Sequence, residues 1–317
     1  MIAILGAGSL GRLWAATLPA GQVAFVPRPQ TSAESPCYRF HPVNGEPVPT
    51  SVPWLTPCQS PDLLLVTTKA GDTLSALQAT LPSIPESTPI VLFQNGMGSQ
   101  QAVSEHWPER SVLAASTTEG ANRPSPDRLI HAGRGQTWVG ALSGNAECHL
   151  ETVVERLARS GLAIAPEADI LARLWHKLVI NAGINPFTAI LDCANGDLLS
   201  QAFYQRWIAP LCREISNISQ ISGQPAEAPE AIRHRIEAVA RSTSANTSSM
   251  RADVIAGRPT EIDYMNGYLS ELGQRLGVKT PVNQMLTEQV KQLTRPYQQQ
   301  ESCDGQPPLQ DLHPNRR

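Results

Sequence analysis

A glycine-rich turn near the start of the chain constrains the fold more than any other feature of the sequence. Residues 1–5 have the composition of a buried strand, residues 12–18 have that of a helix, and GAGSLG lies between them. In the pattern G-x-G-x-x-G, the first glycine permits a tight turn, the second lets the backbone approach a pyrophosphate, and the third lets the helix pack closely on the strand. A purely structural turn is the alternative. This context favours a dinucleotide-binding turn, whose expected cofactor contacts are Gly6, Ala7, Gly8, Ser9, Leu10 and Gly11.

The end of the next predicted strand, residues 22–26, indicates which dinucleotide binds. Enzymes that use NAD place an acidic residue there for the ribose hydroxyls, but the first acidic residue of this chain is Glu34. Arg28 stands at the strand end instead, and an arginine suits a 2′-phosphate. The sequence therefore predicts NADP, in its reduced form NADPH, as the cofactor. A solvated surface arginine is the alternative.

Further apolar runs extend this region into a Rossmann-type, doubly wound α/β sheet. The proline-rich residues 27–61 are expected to form loops and short edge strands. Residues 128–131 and 137–140 are predicted to pair as antiparallel strands that finish the domain. The other segments expected in this domain are buried strands at 62–67, 90–93 and 112–118, a helix at 147–160 and a short strand at 162–165.

Two polar residues follow strands of this predicted sheet, at the edge where parallel sheets bind ligands. Lys69 follows residues 62–67, and we expect it to contact the cofactor or the substrate. Asn95 follows residues 90–93 within QNGMG, where two glycines indicate a close backbone approach, and it is placed to hydrogen-bond a nicotinamide or a ribose. The alternatives are a lysine that faces water at a helix entry and an ordinary turn asparagine.

A polar stripe runs along the helix predicted for the stretch WHKLVINAGINPFTAIL. Lys177, Asn181 and Asn185 recur at intervals of four residues, which stacks them on one helix face. Burying these groups among aliphatic side chains is costly unless something hydrogen-bonds them, and a small molecule is one such partner. Pro186 leaves the Ala182 carbonyl without its usual partner, and the resulting kink is expected to tilt Asn185 into a cleft. A core helix with a snorkelling lysine is the alternative.

The character of the chain changes after residue 166. We predict a Rossmann-like NADP-binding domain at residues 1–166, an all-helical substrate domain at 167–297 and a disordered tail at 298–317, which is polar and poor in apolar residues. The helices expected in the second domain span 168–191, 201–222, 228–242, 259–276 and 282–297.

Composition excludes several classes of function. The net charge of −3 offers no basic excess for nucleic acid, and no apolar run reaches the length of a membrane span. The apolar start is broken by glycine after five residues, so it does not resemble a signal peptide, and we expect a cytoplasmic enzyme. The six cysteines are scattered without a C-x-x-C pair, which indicates neither a metal site nor a disulfide framework. The oligomeric state stays open, with a homodimer as one option.

Five blocks in order resemble the ketopantoate reductase (2-dehydropantoate 2-reductase) family. They are GAGSLG, VTTKA, QNGMG, HKLVINAGINPFTAIL and NTSSMRADVIAGRPTEIDYMNG, and they span nearly the whole chain apart from the tail. The resemblance implies NADPH-dependent reduction of ketopantoate to (R)-pantoate, on the route to pantothenate and coenzyme A. It also implies that the reaction takes place in a cleft between a Rossmann domain and a helical domain.

The resemblance assigns a substrate site to the helical domain. Lys177 would donate the proton to the forming alkoxide, while Asn181 and Asn185 would hold the substrate. The remaining substrate contacts that it implies are Asn195, Asn246 and Ser249, the last of them at the substrate carboxylate. A bare helix N-cap is the alternative for the serine.

The resemblance also implies cofactor contacts. Glu261 is expected near the cofactor ribose and the reacting centre, and its alternative is a carboxylate in the first turn of a helix that opens at residue 259. Lys69, Asn95 and Ala121 fall where the family touches the cofactor, and Arg28 fits the contact to the 2′-phosphate.

The chain departs from the family pattern at two places. An acidic residue, Glu119, stands in the Glu119–Gly120 pair, and Arg251 adds a positive charge beside the serine. Substrate preference is therefore less secure than reaction type. Two other functions remain: a related NADP-dependent dehydrogenase that acts on another keto or hydroxy acid, and a non-catalytic NADP-binding regulator.

Overall fold

The computed structural model describes residues 1–28 and 35–294, so the predicted tail at 298–317 lies outside the described residues. Eleven strands are found in this part of the chain. They are β1 (Ile2–Leu5), β2 (Val23–Phe25), β3 (Cys37–His41), β4 (Val48–Ser51), β5 (Leu63–Val66), β6 (Ile90–Leu92), β7 (Val112–Thr117), β8 (Gly120–Ser125), β9 (Arg128–Gly133), β10 (Thr137–Ala141) and β11 (Ile164–Pro166).

Ten α-helices accompany these strands within the same residues. They are α1 (Ser9–Thr17), α2 (Thr73–Thr80), α3 (Ser99–His106), α4 (Leu150–Ala158), α5 (Ile170–Leu191), α6 (Ala202–Ser222), α7 (Pro229–Ser242), α8 (Ser249–Ile255), α9 (Asn266–Leu276) and α10 (Pro281–Leu293). The strands and the first four helices form the N-terminal domain, and α5 to α10 form a helical domain, which confirms the predicted fold class.

A seven-stranded sheet in the order β11-β10-β7-β6-β5-β1-β2 forms the centre of the N-terminal domain. The five strands from β2 to β7 in this order are parallel, and their side chains are almost wholly buried because helices cover both faces. The chain leaves β1 towards β2 on one side and returns to β5 on the other. Ligands bind at such a switch point, beyond the carboxyl ends of the strands.

The predicted antiparallel pairing of residues 128–131 with 137–140 is wrong. β9 pairs with β8 and β3 in a separate four-stranded sheet of order β4-β3-β9-β8, whereas β10 joins the main sheet. β10 lies antiparallel to β7 from Thr137 opposite Thr117 to Ala141 opposite Leu113. The physical reason is that β7 is fully buried, so its outer row of backbone groups needs a strand to pair with. The proline-rich segment supplies β3 and β4, as short strands of the small sheet.

The helical domain is built around α5, which continues through Pro186 as one helix. The carbonyl of Ala182, which the proline leaves without its usual backbone partner, accepts a hydrogen bond of 3.3 Å from Asn266 Nδ2. Asn266 also donates to Asn283 Oδ1, and the buried Glu214 accepts from the first amides of α10. A connected polar network thus replaces the backbone bond that Pro186 removes.

The helix predicted at 259–276 is also wrong in its start. The structure has the separate helix α8 before this region, a short 3₁₀ turn at Ile262–Tyr264, and α9 beginning only at Asn266. The turn lets the Tyr264 carbonyl accept a hydrogen bond of 2.9 Å from the Met97 amide of the N-terminal domain. A tertiary contact between the domains therefore sets the helix boundary, which local propensity could not reveal.

Candidate active site

The glycine turn between β1 and α1 has the geometry of a pyrophosphate cradle. Gly6 has a φ of +111°, and a Cβ there would lie 2.8 Å from the Thr68 amide nitrogen. A Cβ on Gly11 would collide with the Gly6 carbonyl oxygen, so close packing of helix on strand requires that glycine. A Cβ on Gly8 would meet nothing within 4 Å. The second glycine therefore leaves open space beside the free N-terminus of α1, which fits the phosphate groups of a dinucleotide.

Arginines surround this turn. The Ala7 carbonyl accepts hydrogen bonds from Arg12 Nε at 3.1 Å and from Arg123 Nη1 at 3.3 Å. Arg28 lies exposed just beyond β2, and its charge, with that of Arg258, contributes to lowering the pKa of Arg123 after the larger effect of burial. Arg12, Arg123 and Arg258 were missed by the sequence reasoning, and only the spatial neighbours of the turn identify them.

Lys177 of α5 faces the carboxyl end of β7. Its Nζ donates a hydrogen bond of 2.8 Å to the Thr117 carbonyl, so the ammonium lies at the ligand-binding edge of the main sheet. The side chain is half-buried, and burial lowers the pKa of Lys177 to about 8, against an opposing effect of the Glu261 carboxylate. An amine with such a pKa can donate a proton near neutral pH.

Glu261 crosses from the helical domain to the N-terminal domain. Its Oε1 accepts a hydrogen bond of 3.0 Å from the Ala70 amide, and its Oε2 accepts one of 3.4 Å from Asn95 Nδ2. Burial raises the pKa of Glu261, and these two hydrogen bonds oppose that effect. The alternative of a carboxylate in the first turn of a helix that opens at residue 259 is wrong, because no helix begins there.

Lys69 bridges the two domains on the same side of the sheet. Its Nζ donates to Asp253 Oδ2 and to the Pro259 carbonyl, both at 2.5 Å. The other oxygen of Asp253 accepts from Arg258 Nε at 3.0 Å. Asp253 is a further residue that the sequence reasoning missed, although an acidic residue four positions after Ser249 lies on the same helix face.

The candidate substrate residues of α5 differ in their surroundings. Asn181 is half-buried and makes no side-chain hydrogen bond with any residue that the structure describes. Asn185 is only 7% exposed, and its Nδ2 lies 3.8 Å from Met265 Sδ. The Asn185 amide faces the thioether of Met265, the residue after the 3₁₀ turn, and the expected tilt of Asn185 into a cleft stays a prediction. Asn181 keeps its hydrogen-bonding capacity for a ligand.

The remaining candidate substrate residues lie around the start of α8. Ser248, and not Ser249, is the N-cap of α8, where its Oγ accepts from the Arg251 amide at 3.1 Å. The N-cap alternative for Ser249 is thus wrong, and this serine is exposed. Asn195 is buried and donates to Thr243 Oγ1 at 2.9 Å, and its backbone amide donates to the carbonyl of the exposed Asn246.

The two departures from the family pattern have partners in the structure. Glu119 Oε2 lies 2.6 Å from His131 Nε2, and both side chains are buried. Arg251 Nε forms an ion pair of 2.9 Å with Asp192. The half-buried Ala121 of β8 lies opposite His131 of β9. Neither side chain contacts the amine of Lys177, because Glu119 lies against His131 and Arg251 pairs with Asp192.

The described residues also bear on two other kinds of site. No group of three or more His, Cys, Asp and Glu residues that could hold a metal ion occurs in residues 1–28 and 35–294. In the same part of the chain, no helix combines the length and apolar character needed to cross a membrane.

Comparison with known proteins matches both halves of the chain. The family model "Ketopantoate reductase PanE/ApbA" matches residues 2–144, and "Ketopantoate reductase PanE/ApbA C terminal" matches residues 169–294. A 2-dehydropantoate 2-reductase from Vibrio cholerae serotype O1 is 36% identical over 299 residues, which cover 93% of this chain and 98% of that protein.

Solved structures agree with these matches. A probable 2-dehydropantoate 2-reductase from Bacillus subtilis is 31% identical, with a TM-score of 0.77 and coverage of 92% of this chain and 99% of the other. D-mandelate dehydrogenase in a ternary complex with NADH and anilino(oxo)acetate has a TM-score of 0.83 at 24% identity, covers 92% and 98% of the two chains, and shows likeness of fold. Because family models match both halves and a relative matches almost the whole length, the chain belongs to the ketopantoate reductase family.

Proposed function

We propose that the protein is a 2-dehydropantoate 2-reductase that uses NADPH to reduce ketopantoate to (R)-pantoate. The observation that supports this most directly is the position of Lys177. Its ammonium lies at the carboxyl end of β7, on the edge of the main sheet at which the glycine turn also lies. The Glu261 carboxylate raises the pKa of this ammonium, against the larger effect of burial. Hydride transfer to a ketone creates negative charge on oxygen, and an ammonium at that place both stabilises the charge and supplies a proton.

The cofactor would be held by residues of the N-terminal domain. The open face at Gly8 and the N-terminus of α1 suit its pyrophosphate, and Arg28 suits a 2′-phosphate. Lys69 and Asn95 follow β5 and β6, and Ala121 lies on β8 just after β7, and these three residues would be further contacts. When bound there, a reduced nicotinamide supplies the hydride.

Lys177 would exchange its hydrogen bond to Thr117 for one to the substrate's keto oxygen. It then donates a proton to that oxygen as negative charge develops. Glu261, fixed by the Ala70 amide and the Asn95 side chain, keeps the Lys177 pKa from falling further and orients the groups that face the cofactor ribose. The carboxamide of Asn181 has free donors and an acceptor for the substrate hydroxyl.

The rest of the substrate site is assigned by position. Ser249, exposed in the first turn of α8, and the neighbouring Asn246 would contact the substrate carboxylate. Asn185 and Asn195 would act from the floor of the site, since both are buried. A cytoplasmic location and a homodimer stay predictions from the sequence.

The test is the oxidation of NADPH by purified protein when ketopantoate is added. We expect Lys177→Ala to lower kcat by a factor of about 10² to 10⁴ while the Kd for NADPH stays nearly unchanged. Glu167→Gln is a matched control, because this carboxylate pairs with Arg173, one turn before Lys177, and does not reach the amine. Undiminished turnover in Lys177→Ala would remove the assigned proton donor.

A related dehydrogenase for another 2-keto acid is the second candidate, favoured by the likeness in fold to a D-mandelate dehydrogenase. Values of kcat/KM for ketopantoate and for a panel of 2-keto acids, including an aromatic one, decide between the two. Tight NADPH binding without turnover of any member would instead indicate a regulator that has kept the fold.

A further inference from the structure

Arg123 is a half-buried arginine beside the glycine turn to which the proposed reaction assigns no role. Its Nη1 donates to the carbonyl of Ala7, which stands between Gly6 and Gly8. It forms no ion pair and no second hydrogen bond with any residue in 1–28 or 35–294. A guanidinium has five N–H donors, so most of those of Arg123 stay available next to the open face at Gly8.

The strand geometry directs Arg123 to the cofactor side of the small sheet. Along β8, residues 121, 123 and 125 are half-buried, whereas 122 and 124 are exposed. Every second residue of a strand points to the same face of the sheet, so Arg123 lies on the same face as Ala121, the expected cofactor contact. Both residues therefore face the glycine turn and not the solvent side of the sheet.

The charges near Arg123 are positive. Burial lowers the pKa of Arg123 most, and the charges of Arg258 and Arg28 lower it further, with no opposing carboxylate in the part of the chain that the structure describes. Arg258 is itself tied to Asp253, whereas no carboxylate among residues 1–28 and 35–294 pairs with Arg123. An anion with more than one negative oxygen would relieve this repulsion and accept several guanidinium donors at once.

The neighbouring Arg12 shows what a structural arginine at this turn looks like. It is buried, donates to Ala7 and to the Pro126 carbonyl, and lies 4.8 Å from the centre of the Tyr38 ring. Arg12 thus makes two hydrogen bonds and a ring contact within the protein, whereas Arg123 makes the single hydrogen bond to Ala7 among the described residues. Arg12 already donates to the Ala7 carbonyl, so support of the turn does not depend on Arg123 alone.

We propose that Arg123 binds the 2′-phosphate of NADPH and helps to determine the preference for NADPH over NADH. The glycine turn and the N-terminus of α1 serve the pyrophosphate, whereas Arg28 follows the strand end at which the adenosine ribose is expected. Arg123 contacts the turn and belongs to the arginine group around Arg28, so its free donors reach the phosphate on the ribose. This inference rests on the proposed NADPH-dependent function.

The experiment is isothermal titration calorimetry of the full-length protein with NADPH, NADH, 2′,5′-ADP and 5′-AMP. In Arg123→Gln we expect the Kd for NADPH and for 2′,5′-ADP to rise about 10- to 100-fold, as for the loss of a hydrogen bond to a charged group. The Kd for NADH and 5′-AMP should change less than about twofold. Arg39→Gln, the same charge change at an exposed position of β3 in the same sheet, should leave all four values unchanged.

Equal weakening of NADPH and NADH in Arg123→Gln overturns the assignment, because it would place Arg123 at the pyrophosphate or in the support of the turn. Unchanged NADPH binding, or a wild-type preference for NADH, overturns it as well. Arg123→Lys, which keeps the charge without the planar fork, should recover part of the preference and checks that loss of folding is not the cause. Failure of ketopantoate reduction alone would overturn the proposed reaction and leave these binding results standing.

Discussion

The pH dependence of the proposed reduction tests the electrostatics of Lys177. Lowering its pKa from 10.5 to about 8 favours the neutral amine by about 3 kcal/mol, at about 1.4 kcal/mol for each unit of pKa. The proton donor must be protonated, so activity is present below this pKa and is lost as the pH rises through it. We expect kcat/KM for ketopantoate at saturating NADPH to be nearly constant at pH 6–7 and to fall about tenfold per pH unit above about pH 8.

A substitution at Glu261 separates this explanation from general alkaline inactivation. The Glu261 carboxylate is the charge that raises the pKa of Lys177, against the larger effect of burial. In Glu261→Gln the fall should therefore begin at a lower pH than in the wild type, whatever happens to the maximal rate. The control Glu167→Gln should keep the wild-type profile, because its carboxylate pairs with Arg173. The reasoning would be refuted if kcat/KM stayed constant up to about pH 10. It would also be refuted if Glu261→Gln lost activity at the same pH as the wild type.

Two further predictions concern the turn and the helical core. Gly8→Ala should change the free energy of unfolding by less than about 0.5 kcal/mol in urea titrations, since its Cβ meets no protein atom, yet it should weaken NADPH binding. Gly11→Ala should destabilise the protein, because its Cβ meets the Gly6 carbonyl. Asn266→Ala should lower the free energy of unfolding by about 2–4 kcal/mol, because the Ala182 carbonyl and Asn283 Oδ1 both lose a buried donor. Stability of Asn266→Ala equal to wild type would show that water or relaxation replaces that donor.

Local patterns were sufficient for much of the fold. The glycine turn between an apolar run and a helix predicted the strand–turn–helix that opens the sheet, and the spacing of Lys177 and Asn181 predicted a polar face on α5. These features depend on backbone sterics and helical periodicity, which act over a few residues. The same patterns failed at β9 and β10, because β9 pairs with β8 and with β3, which is distant in sequence, and β10 pairs with β7 across the intervening β8 and β9.

The sequence by itself determined the two-domain α/β architecture, the dinucleotide turn and the residue types available for a reduction. Only the tertiary structure decided which groups meet: Glu261 with Ala70 and Asn95, Lys69 with Asp253, and Arg123 with the turn. Each of these contacts joins residues more than a hundred positions apart. Their energies depend on burial and on neighbouring charges that exist only after the domains have packed together, so no local pattern in the chain encodes them.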